Sequence, residues 1–258
     1  MCRPKANGDG VKQLIAFDLD GTLAESKAPL DDEIAGLLAT LLTFAQVAVI
    51  SGGDWPQLKK QVIDRLPSNA ELAMLWILPT AGAKLFRFTK DWQLVYSQAI
   101  TPDEKSHILG ALERAIPAAG LNDDPAWGPR VEDRGTQITY SGIGQKAPLD
   151  AKRAWDPDRR KRLQLQAMLE QSLPGWSINI GGTTSVDITR EGIDKGFGLR
   201  KLAEVSGVAL KDMMFLGDAV FPGGNDYPAV TTGVDTVAVR DVQETKSILH
   251  ALTLWFGA

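Results

Sequence analysis

The sequence predicts an α/β fold, with a Rossmann-like doubly wound parallel sheet as the core and an inserted α+β cap domain. Near both ends of the 258-residue chain, short apolar runs alternate with segments of helical spacing, as in a parallel sheet with crossover helices. In the middle of the chain, hairpin signals replace this alternation. The predicted parts are a flexible N-terminal tail at 1–12, a core domain at 13–83 and 190–258, and a cap domain at 84–189.

The first half of the core domain is predicted as strand, helix, strand, helix and strand. Its strands are Leu14–Phe17, Gln46–Ile50 and Leu75–Leu78, and its helices are 31–43 and 54–66. In the first helix, apolar residues recur at a spacing of three and four, and Asp31 can serve as the N-cap. In the second helix, Pro56 falls in the first turn, where proline is tolerated. This alternation is the pattern of βαβ units.

The remaining elements follow from turn signals and periodicity. In the cap domain we predict hairpins that pair 85–88 with 94–97, 130–133 with 136–141 and 176–180 with 185–189, helices at 101–119 and 157–173, and a loop at 148–157. The core alternation then returns with a helix at 194–205, strands at 213–216 and 236–239, and a last helix from 242. The insertion therefore divides one parallel sheet.

Composition excludes several classes of protein. A hydrophobic content of 44% with 23% charged residues is typical of a globular domain, and a net charge of −4 argues against a nucleic-acid binder. The single cysteine, Cys2, excludes an internal disulfide framework and fits a reducing compartment. Residues 1–12 lack the apolar core of a signal peptide, and the apolar stretch 37–50 is too short to cross a bilayer. We expect a cytoplasmic protein with a small-molecule partner, no nucleic acid and no membrane.

Two carboxylates at the end of the first strand are the most informative feature. Asp18 and Asp20 are two residues apart on an extended chain and therefore point to the same side, directly before Gly21. Adjacent carboxylates repel each other unless a cation or a shared proton compensates. The pair therefore indicates a hard divalent metal, Mg²⁺, with a nucleophile beside an acid.

Two further segments supply groups that suit a phosphate. Ser51 follows the strand Gln46–Ile50 and precedes Gly52 and Gly53, and a hydroxyl beside exposed backbone N–H groups makes a small anion-binding nest. Lys195 begins a predicted helix, a position that is unfavourable for a cation unless an anion binds there.

The fourth segment follows a late strand of the core. Asp218 ends this strand as Asp18 ends the first, so it can supply a second carboxylate to the metal. Asn225 and Asp226 follow after a glycine-rich loop and are predicted to support phosphate binding. Because the carboxyl ends of parallel strands form the ligand-binding edge of open α/β sheets, the four segments predict one site.

These four segments resemble the motifs of the haloacid dehalogenase superfamily of phosphoryl-transfer enzymes. The resemblance implies that Asp18 is a nucleophile that forms an aspartyl-phosphate and that Asp20 is the general acid and base. It also implies catalytic roles for Ser51 and Lys195, and a Mg²⁺ site made of Asp18, Asp20 (through its carbonyl) and Asp218. An insertion between the second and third motifs marks the large-cap members of the superfamily.

Among large-cap members, the chain most resembles the eukaryotic-type phosphomannomutases. The segments 181–187 and 217–226 carry this resemblance, with Gly-Gly-Asn-Asp in the second. It implies that the cap recognises the substrate through Arg134, Gln145, Ser185 and Asp187. Three positions depart from the mutase pattern.

The departures are Gln145 and Lys27, where the mutases carry arginines, and Ala219, where they carry a lysine. An amide cannot match the bidentate grip of a guanidinium on phosphate. We therefore interpret the chain as a Mg²⁺-dependent phosphohydrolase that acts on a phosphorylated sugar through an aspartyl-phosphate. Phosphomannomutase is the alternative, and a catalytically silent binding protein on the same fold is a distant third. The oligomeric state stays open, with a dimer through the cap domain as one alternative.

Overall fold

A computed structural model describes residues 12–257, which form two compact units. The core domain contains residues 12–97 and 194–257, and the cap domain contains residues 98–193. The predicted N-terminal tail and Cys2 lie outside the described residues, apart from position 12. Within the part that is described, no helix has both the length and the apolar character needed to cross a bilayer.

The first part of the core domain comprises five strands and two helices. They are β1 (Leu14–Phe17), α1 (Asp32–Leu41), β2 (Gln46–Ile50), α2 (Trp55–Gln61), β3 (Leu75–Leu78), β4 (Lys84–Phe88) and β5 (Trp92–Ser97). Single 3₁₀ turns occur at Ile63–Arg65, Leu72–Met74 and Thr80–Gly82. Asp31 accepts a hydrogen bond from the backbone N–H of Ile34, as expected of the N-cap of α1.

The cap domain comprises three helices and four strands, followed by the return of the core. The cap elements are α3 (Pro102–Ala118), β6 (Val131–Asp133), β7 (Ile138–Ser141), α4 (Leu149–Trp155), α5 (Arg160–Ser172), β8 (Trp176–Gly181) and β9 (Ser185–Arg190). The last core elements are α6 (Lys195–Ser206), a 3₁₀ turn at Leu210–Asp212, β10 (Met213–Gly217), α7 (Tyr227–Val230), β11 (Asp235–Ala238) and α8 (Val242–Gly257).

The core sheet has seven strands in the order β11-β10-β1-β2-β3-β4-β5. All neighbours from β11 to β3 are parallel, whereas β4 and β5 are antiparallel. Alternate residues of each strand face opposite sides, so Ile15 and Phe17 pack with α1 and α8, while Leu14 and Ala16 pack with α6. The expected α/β fold with a doubly wound, mainly parallel sheet is thus confirmed.

The cap domain has its own sheet and its own apolar core. Its four antiparallel strands follow the order β6-β7-β9-β8. One face of this sheet presents Tyr140, Val186 and Ile188 to residues of α3 and α5, including Ile108 and Leu165. Polar side chains alternate with these on β7 and β9, so the other face of the sheet is polar.

The structure corrects the predicted boundary between the two domains. The hairpin of β4 and β5 was assigned to the cap, but β4 pairs with β3 through Trp76 and Arg87, so the hairpin extends the core sheet. Phe86 also stacks on Trp55 of α2, with ring centroids 3.9 Å apart. At the second boundary, the backbone N–H of Ile193 donates to Arg190 O, so the chain stays with the cap to residue 193.

Two helices of the structure were not predicted. The segment 148–157, expected as a loop between prolines, contains α4, because Pro148 occupies the N-cap position and good helix formers follow it. The short helix α7 likewise begins beside a proline, Pro228. The predicted helix at 54–66 is shorter, since α2 ends at Gln61 and a 3₁₀ turn follows.

Candidate active site

Asp18 lies at the carboxyl end of the central strand β1, where the predicted site was expected. β1 has β2 on one side and β10 on the other, and the backbone N–H of Asp18 continues this pairing by donating to Leu216 O at 2.9 Å. The Asp18 side chain is buried. Its carboxylate Oδ1 accepts a hydrogen bond from Lys195 Nζ at 2.5 Å.

Lys195 lies buried between two carboxylates at the start of α6. Asp194 caps this helix by accepting a hydrogen bond from the backbone N–H of Phe197 at 2.7 Å. The Lys195 ammonium donates to Asp18 and also to Asp226. Although burial lowers the pKa of Lys195, the two carboxylates raise it above its ordinary value. Lys195 therefore stays protonated and holds both carboxylates by charge and by hydrogen bonds.

Three carboxylates converge at this edge of the core sheet. One oxygen each from Asp18, Asp218 and Asp226 lies within 4.8 Å of the others. Gly21 makes room for this approach, because a Cβ at Gly21 would lie 2.5 Å from Asp218 Oδ2, and its φ of +89° also suits glycine. Asp226 is secured from the other side, since its Oδ2 accepts a hydrogen bond from the backbone N–H of Ala219 at 2.9 Å.

The charges of this cluster fit a divalent cation. Burial raises the pKa of Asp18 to about 7, against the opposing effect of Lys195, and the nearby Asp226 raises it as well. Burial and the charge of Asp226 also raise the pKa of Asp218. Three carboxylates face one ammonium, so a bound cation would compensate the excess negative charge. Because all the donors are oxygen atoms, the cluster suits Mg²⁺ and offers no sulfur or imidazole ligand for Zn²⁺.

The Asp20 carboxylate is held by the backbone of the following turn. Its Oδ1 accepts a hydrogen bond from the backbone N–H of Lys27 at 2.6 Å. Lys27 adopts a left-handed conformation, with a φ of 61°. The sequence drew attention to the charge of the Lys27 side chain, whereas the structure shows a contact of its backbone with the predicted acid and base.

Ser51 lies at the end of β2, the strand next to β1. Its Oγ accepts a hydrogen bond from the backbone N–H of Gly53 at 3.1 Å, and its own N–H donates to Leu78 O. A Cβ at Gly52 would meet no atom within 4 Å, so the space beside this backbone is open. The N–H groups of Ser51 and Gly53 thus already have acceptors within the protein, and the Ser51 hydroxyl is the donor that this turn can offer to an anion.

The last predicted core residues occupy a loop that returns to the strand end. The backbone N–H of Gly224 donates to Phe221 O at 2.8 Å, which tightens the loop before Asn225 and Asp226. Asn225 is exposed, whereas Asp226 is completely buried beside Lys195. Asp226 thus belongs to the carboxylate cluster itself, whereas the sequence predicted only that it supports phosphate binding.

In the cap domain, Ser185 and Asp187 lie on the polar face of β9, opposite two polar residues of β7. Ser185 Oγ is 3.1 Å from Ser141 Oγ, and Thr139 Oγ1 donates to Asp187 Oδ1 at 2.7 Å. Gln137 Nε2 in turn donates to Thr139 Oγ1 at 2.9 Å. The motifs did not point to these β7 residues, although the alternation of polar and apolar residues along the strand was a usable signal.

Arg134 and Gln145, the other predicted cap residues, lie in separate loops and have other contacts. The Arg134 guanidinium pairs with Glu132 at 2.8 Å. The backbone carbonyl of Gln145 accepts a hydrogen bond from Lys152 Nζ at 3.1 Å, while the side-chain Nε2 of Gln145 is buried without a hydrogen-bond partner. Lys152, a largely buried cation on α4, is a residue that the sequence analysis missed because that segment was predicted to be a loop.

The fold and the site define a phosphoryl-transfer enzyme of the haloacid dehalogenase superfamily. Residues 35–253 match the model of the eukaryotic phosphomannomutase family, and the chain therefore belongs to this family. The predicted resemblance is confirmed.

Individual relatives agree with this membership. The chain is 28% identical to phosphomannomutase 1 of Dictyostelium discoideum over 250 residues, which cover 92% of this chain and 94% of the relative. It is 26% identical to human phosphomannomutase 1 over 252 residues, which cover 93% of each. Among solved structures, an IMP-bound, N-terminally truncated IMP-nucleotidase of Plasmodium falciparum is similar in fold, with a TM-score of 0.69, 15% identity and coverage of 95% of this chain and 69% of that one.

Proposed function

We propose that this protein transfers the phosphoryl group of a hexose phosphate through an aspartyl-phosphate on Asp18, with phosphomannomutase as the overall reaction. The observation that carries the proposal is the buried Asp18 carboxylate at the end of β1, held by Lys195 and joined by Asp218 and Asp226. Similarity to phosphomannomutases over more than nine tenths of their length supports the mutase over the phosphatase that we first inferred from the sequence.

In the first half of the proposed reaction, Asp18 attacks the phosphorus of the sugar phosphate. A bond forms between phosphorus and an Asp18 oxygen, and the bond between phosphorus and the sugar oxygen breaks. Asp20 donates a proton to that sugar oxygen as it leaves. Lys195 orients Asp18 during the attack, and the Ser51 hydroxyl, whose oxygen accepts a hydrogen bond from the Gly53 N–H, donates its own proton to a phosphoryl oxygen.

In the second half, the hydroxyl of a sugar phosphate, or of water, accepts the phosphoryl group. Asp20 takes the proton of that hydroxyl as its oxygen attacks phosphorus, and the Asp18 carboxylate is released. If the hydroxyl belongs to a sugar phosphate, a bisphosphate forms, and return of its other phosphoryl group to Asp18 leaves the phosphate at a new position. If it belongs to water, the outcome is hydrolysis.

Asp18 and Asp218 are the side chains proposed to bind Mg²⁺, together with the Asp20 carbonyl. When bound, Mg²⁺ neutralises charge on the phosphoryl oxygens and helps to align them with the nucleophile. Asp226 and Lys195 contribute to the same charge balance from the inner side of the cluster. Burial and the charge of Asp226 raise the pKa of Asp18, so positive charge beside the Asp18 carboxylate favours its ionised form.

Substrate recognition is proposed to involve the polar face of the cap sheet. Ser185 and Asp187 have oxygen atoms that can accept hydrogen bonds from sugar hydroxyls, and their contacts with Ser141 and Thr139 fix their positions. Arg134 and Lys152 supply positive charge in the same domain.

A phosphatase is the second candidate, because of position 145. A mutase has to hold a bisphosphate in two orientations, and Gln145 carries an amide where a guanidinium would bind phosphate more strongly. A phosphatase has to hold one phosphate and tolerates this change.

The deciding experiment follows both outcomes in one sample. The purified protein is incubated with Mg²⁺ and with mannose 1-phosphate, mannose 6-phosphate or the corresponding glucose phosphates, with and without a hexose bisphosphate activator. ³¹P NMR then reports isomerised sugar phosphate and free inorganic phosphate separately. We expect interconversion to exceed phosphate release when the activator is present.

Faster phosphate release than isomerisation with every sugar would replace the mutase by the phosphatase. If neither process occurs with any sugar phosphate, and EDTA makes no difference, the proposed function is wrong. Asp18→Asn is the negative control for any contaminating activity.

A further inference from the structure

The turn after β3 has an unusual backbone. Thr80, Ala81 and Gly82 are three consecutive residues with positive φ values of 50°, 56° and 91°. Only the last is a glycine, and a left-handed conformation is strained for the other two residues. Such a conformation persists only where surrounding contacts impose it.

One set of those contacts joins the turn to the predicted phosphate-binding loop. The backbone N–H of Thr80 donates to Gly53 O at 2.9 Å, and that of Ala81 donates to Ser51 O at 2.9 Å. The left-handed turn is what aims both N–H groups at this loop. The strained residues therefore hold the backbone of the Ser51 loop in place through these two hydrogen bonds.

A second set joins the same turn to the helix that begins with Lys195. Gly82 approaches α6 so closely that a Cβ on it would lie 2.5 Å from Gly198 Cα and 3.1 Å from Gly198 N. Gly198 belongs to the first turn of α6, since its N–H donates to Asp194 O at 3.0 Å. The position of Gly82 thus limits where the first turn of α6, and with it Lys195, can lie.

Tyr96 of β5 holds the turn from a third side. Its hydroxyl donates to Gly82 O at 2.6 Å, and its ring meets Phe197 edge to face, with centroids 6.4 Å apart. Phe197 lies two residues after Lys195. Tyr96 therefore connects the turn and α6 from the antiparallel hairpin of the core sheet.

We infer that Thr80–Gly82, supported by Tyr96, is a positioning element that sets the Ser51 loop and Lys195 at a fixed separation. None of its residues is assigned a contact with substrate. The inference rests on the proposed function, since it takes Ser51 and Lys195 as parts of a phosphoryl-transfer site. It adds that the strained backbone exists to hold two catalytic segments from different parts of the chain.

The test compares two substitutions of glycine by alanine along the same helix. Gly82→Ala places a Cβ against the Gly198 backbone and pushes the first turn of α6 away. Gly207→Ala, at the other end of α6, imposes the same left-handed strain at a φ of +74°, but its Cβ meets no atom within 4 Å. Because both positions have a positive φ, alanine is strained at each of them, and both variants are expected to have a lower melting temperature. The two variants thus differ in the contact that the new Cβ makes and share the backbone strain.

Two readouts distinguish positioning from loss of stability. The first is kcat with p-nitrophenyl phosphate and with the best sugar phosphate, per folded molecule. The second is the affinity for inorganic phosphate in the presence of Mg²⁺, measured by calorimetry. If the wild type binds phosphate but turns over no sugar phosphate, the proposed function fails and the phosphate affinities still test the positioning element.

We expect Gly82→Ala to lower kcat about 10²-fold, the effect of displacing a catalytic group by about 1 Å. Phosphate affinity should fall with it, while Gly207→Ala keeps both quantities within about twofold of the wild type. Equal losses in the two variants, or an unchanged kcat in Gly82→Ala, would overturn the inference.

Tyr96→Phe decides the matter if Gly82→Ala does not fold. It removes only the hydroxyl that donates to Gly82 O, and a lost hydrogen bond of this kind corresponds to about a threefold to tenfold effect. We expect a loss of that size in kcat and in phosphate affinity. If both quantities equal those of the wild type, the turn does not position the site.

Discussion

At the scale of single residues, the charge balance around Asp18 explains most of the site. A buried carboxylate is costly unless it is paired, and Asp18 has a direct partner in Lys195. Lys195 also serves Asp226, so its one charge is divided between two carboxylates. With Asp218 close by, the cluster keeps an excess of negative charge that a divalent cation would balance.

Substitution of the two motif aspartates should separate nucleophile from acid and base. Asp18→Asn should abolish turnover of all phosphate esters. Asp20→Asn should lower kcat for a sugar phosphate by about 10²–10⁴-fold. The first chemical step with p-nitrophenyl phosphate should suffer less in Asp20→Asn, because that leaving group needs no proton. Stopped-flow measurement of p-nitrophenolate release would show a burst followed by slow turnover.

Both variants should fold, which circular dichroism can check. An Asp18→Asn protein with more than a few per cent of wild-type turnover would exclude Asp18 as the nucleophile. A raised KM with an unchanged pH–rate profile in Asp20→Asn would exclude general acid–base catalysis by Asp20.

Position 145 should tune the affinity for a second phosphate. Gln145→Arg adds a guanidinium and should lower the KM for a hexose bisphosphate activator. Gln145→Met is the matched control: it has similar length and no charge. Since Gln145 Nε2 is buried without a partner, the methionine should be tolerated with little loss of stability. Activator titrations of the three proteins provide the measurement.

If the arginine and methionine variants have the same KM for the bisphosphate as the wild type, position 145 takes no part in binding it. The phosphatase alternative would then lose the observation that favours it.

At the scale of elements, local sequence patterns predicted where helices and strands lie better than which strands pair with one another. Most strands and long helices were found because apolar runs and helical spacing are local properties. The β4–β5 hairpin was recognised, but its pairing with β3 was not, because an antiparallel hairpin has the same local pattern in either domain. Helix α4 was missed because the prolines at 148 and 157 suggested a loop.

The candidate site shows the same limit. Asp18 and Lys195 were each identified from local motifs, yet their contact spans 177 positions of sequence and depends on the sheet order. Two further features depend on positive φ values, which residue types other than glycine do not predict. They are the contact of the Lys27 backbone with Asp20 and the strain at Thr80–Gly82.

A buried ion pair in the cap domain, next to the turn before Ser185, should contribute strongly to the free energy of unfolding. Arg162 Nε pairs with Asp156 at 2.7 Å, and its Nη1 donates to Gly182 O at 2.5 Å in the β8–β9 turn. Arg162→Met leaves the buried Asp156 carboxylate without a cationic partner and should lower the free energy of unfolding by about 3–5 kcal/mol. Arg160→Met, which breaks an exposed pair with Asp158, should cost less than about 1 kcal/mol.

This difference should depend on pH. Burial raises the pKa of Asp156, but hydrogen bonds from Arg162 and from backbone N–H groups lower it by more, so the native pKa lies below the ordinary value of an aspartate. A carboxyl with a lowered native pKa stabilises the fold above its unfolded pKa and loses this effect as the pH falls. Urea unfolding should therefore show a cost of Arg162→Met that is constant near neutral pH and that becomes smaller as the pH falls through the lowered native pKa of Asp156. A cost that is independent of pH would mean that the charge of Asp156 contributes nothing.

At the scale of the whole molecule, the chain forms two compact units with separate apolar cores. The cap core is built from residues of its own helices and sheet, among them Tyr140, Leu165 and Ile188. The core domain has two apolar layers, one on each face of the seven-stranded sheet. Separate cores are typical of domains that fold on their own.

The cap domain should therefore fold in isolation. A fragment of residues 98–193 contains the complete four-stranded sheet and the helices that cover it. We expect a helix-and-strand circular dichroism spectrum and a cooperative thermal transition. The fragment 84–189, which follows the boundary inferred from the sequence, should be less stable, because it carries β4 and β5 without β3 and lacks the end of β9. Equal or greater stability of that fragment would contradict the division at 97 and 193.

The most direct test of the central claim is detection of the phosphoryl group on Asp18. The protein is mixed with Mg²⁺ and a sugar phosphate or hexose bisphosphate, quenched in acid within the first turnover, and analysed by intact-mass and peptide mass spectrometry. We predict a single added phosphoryl group on the peptide that contains Asp18, dependent on Mg²⁺ and absent in Asp18→Asn. Turnover without any phosphorylated intermediate, or with the phosphoryl group on another residue, would contradict the account.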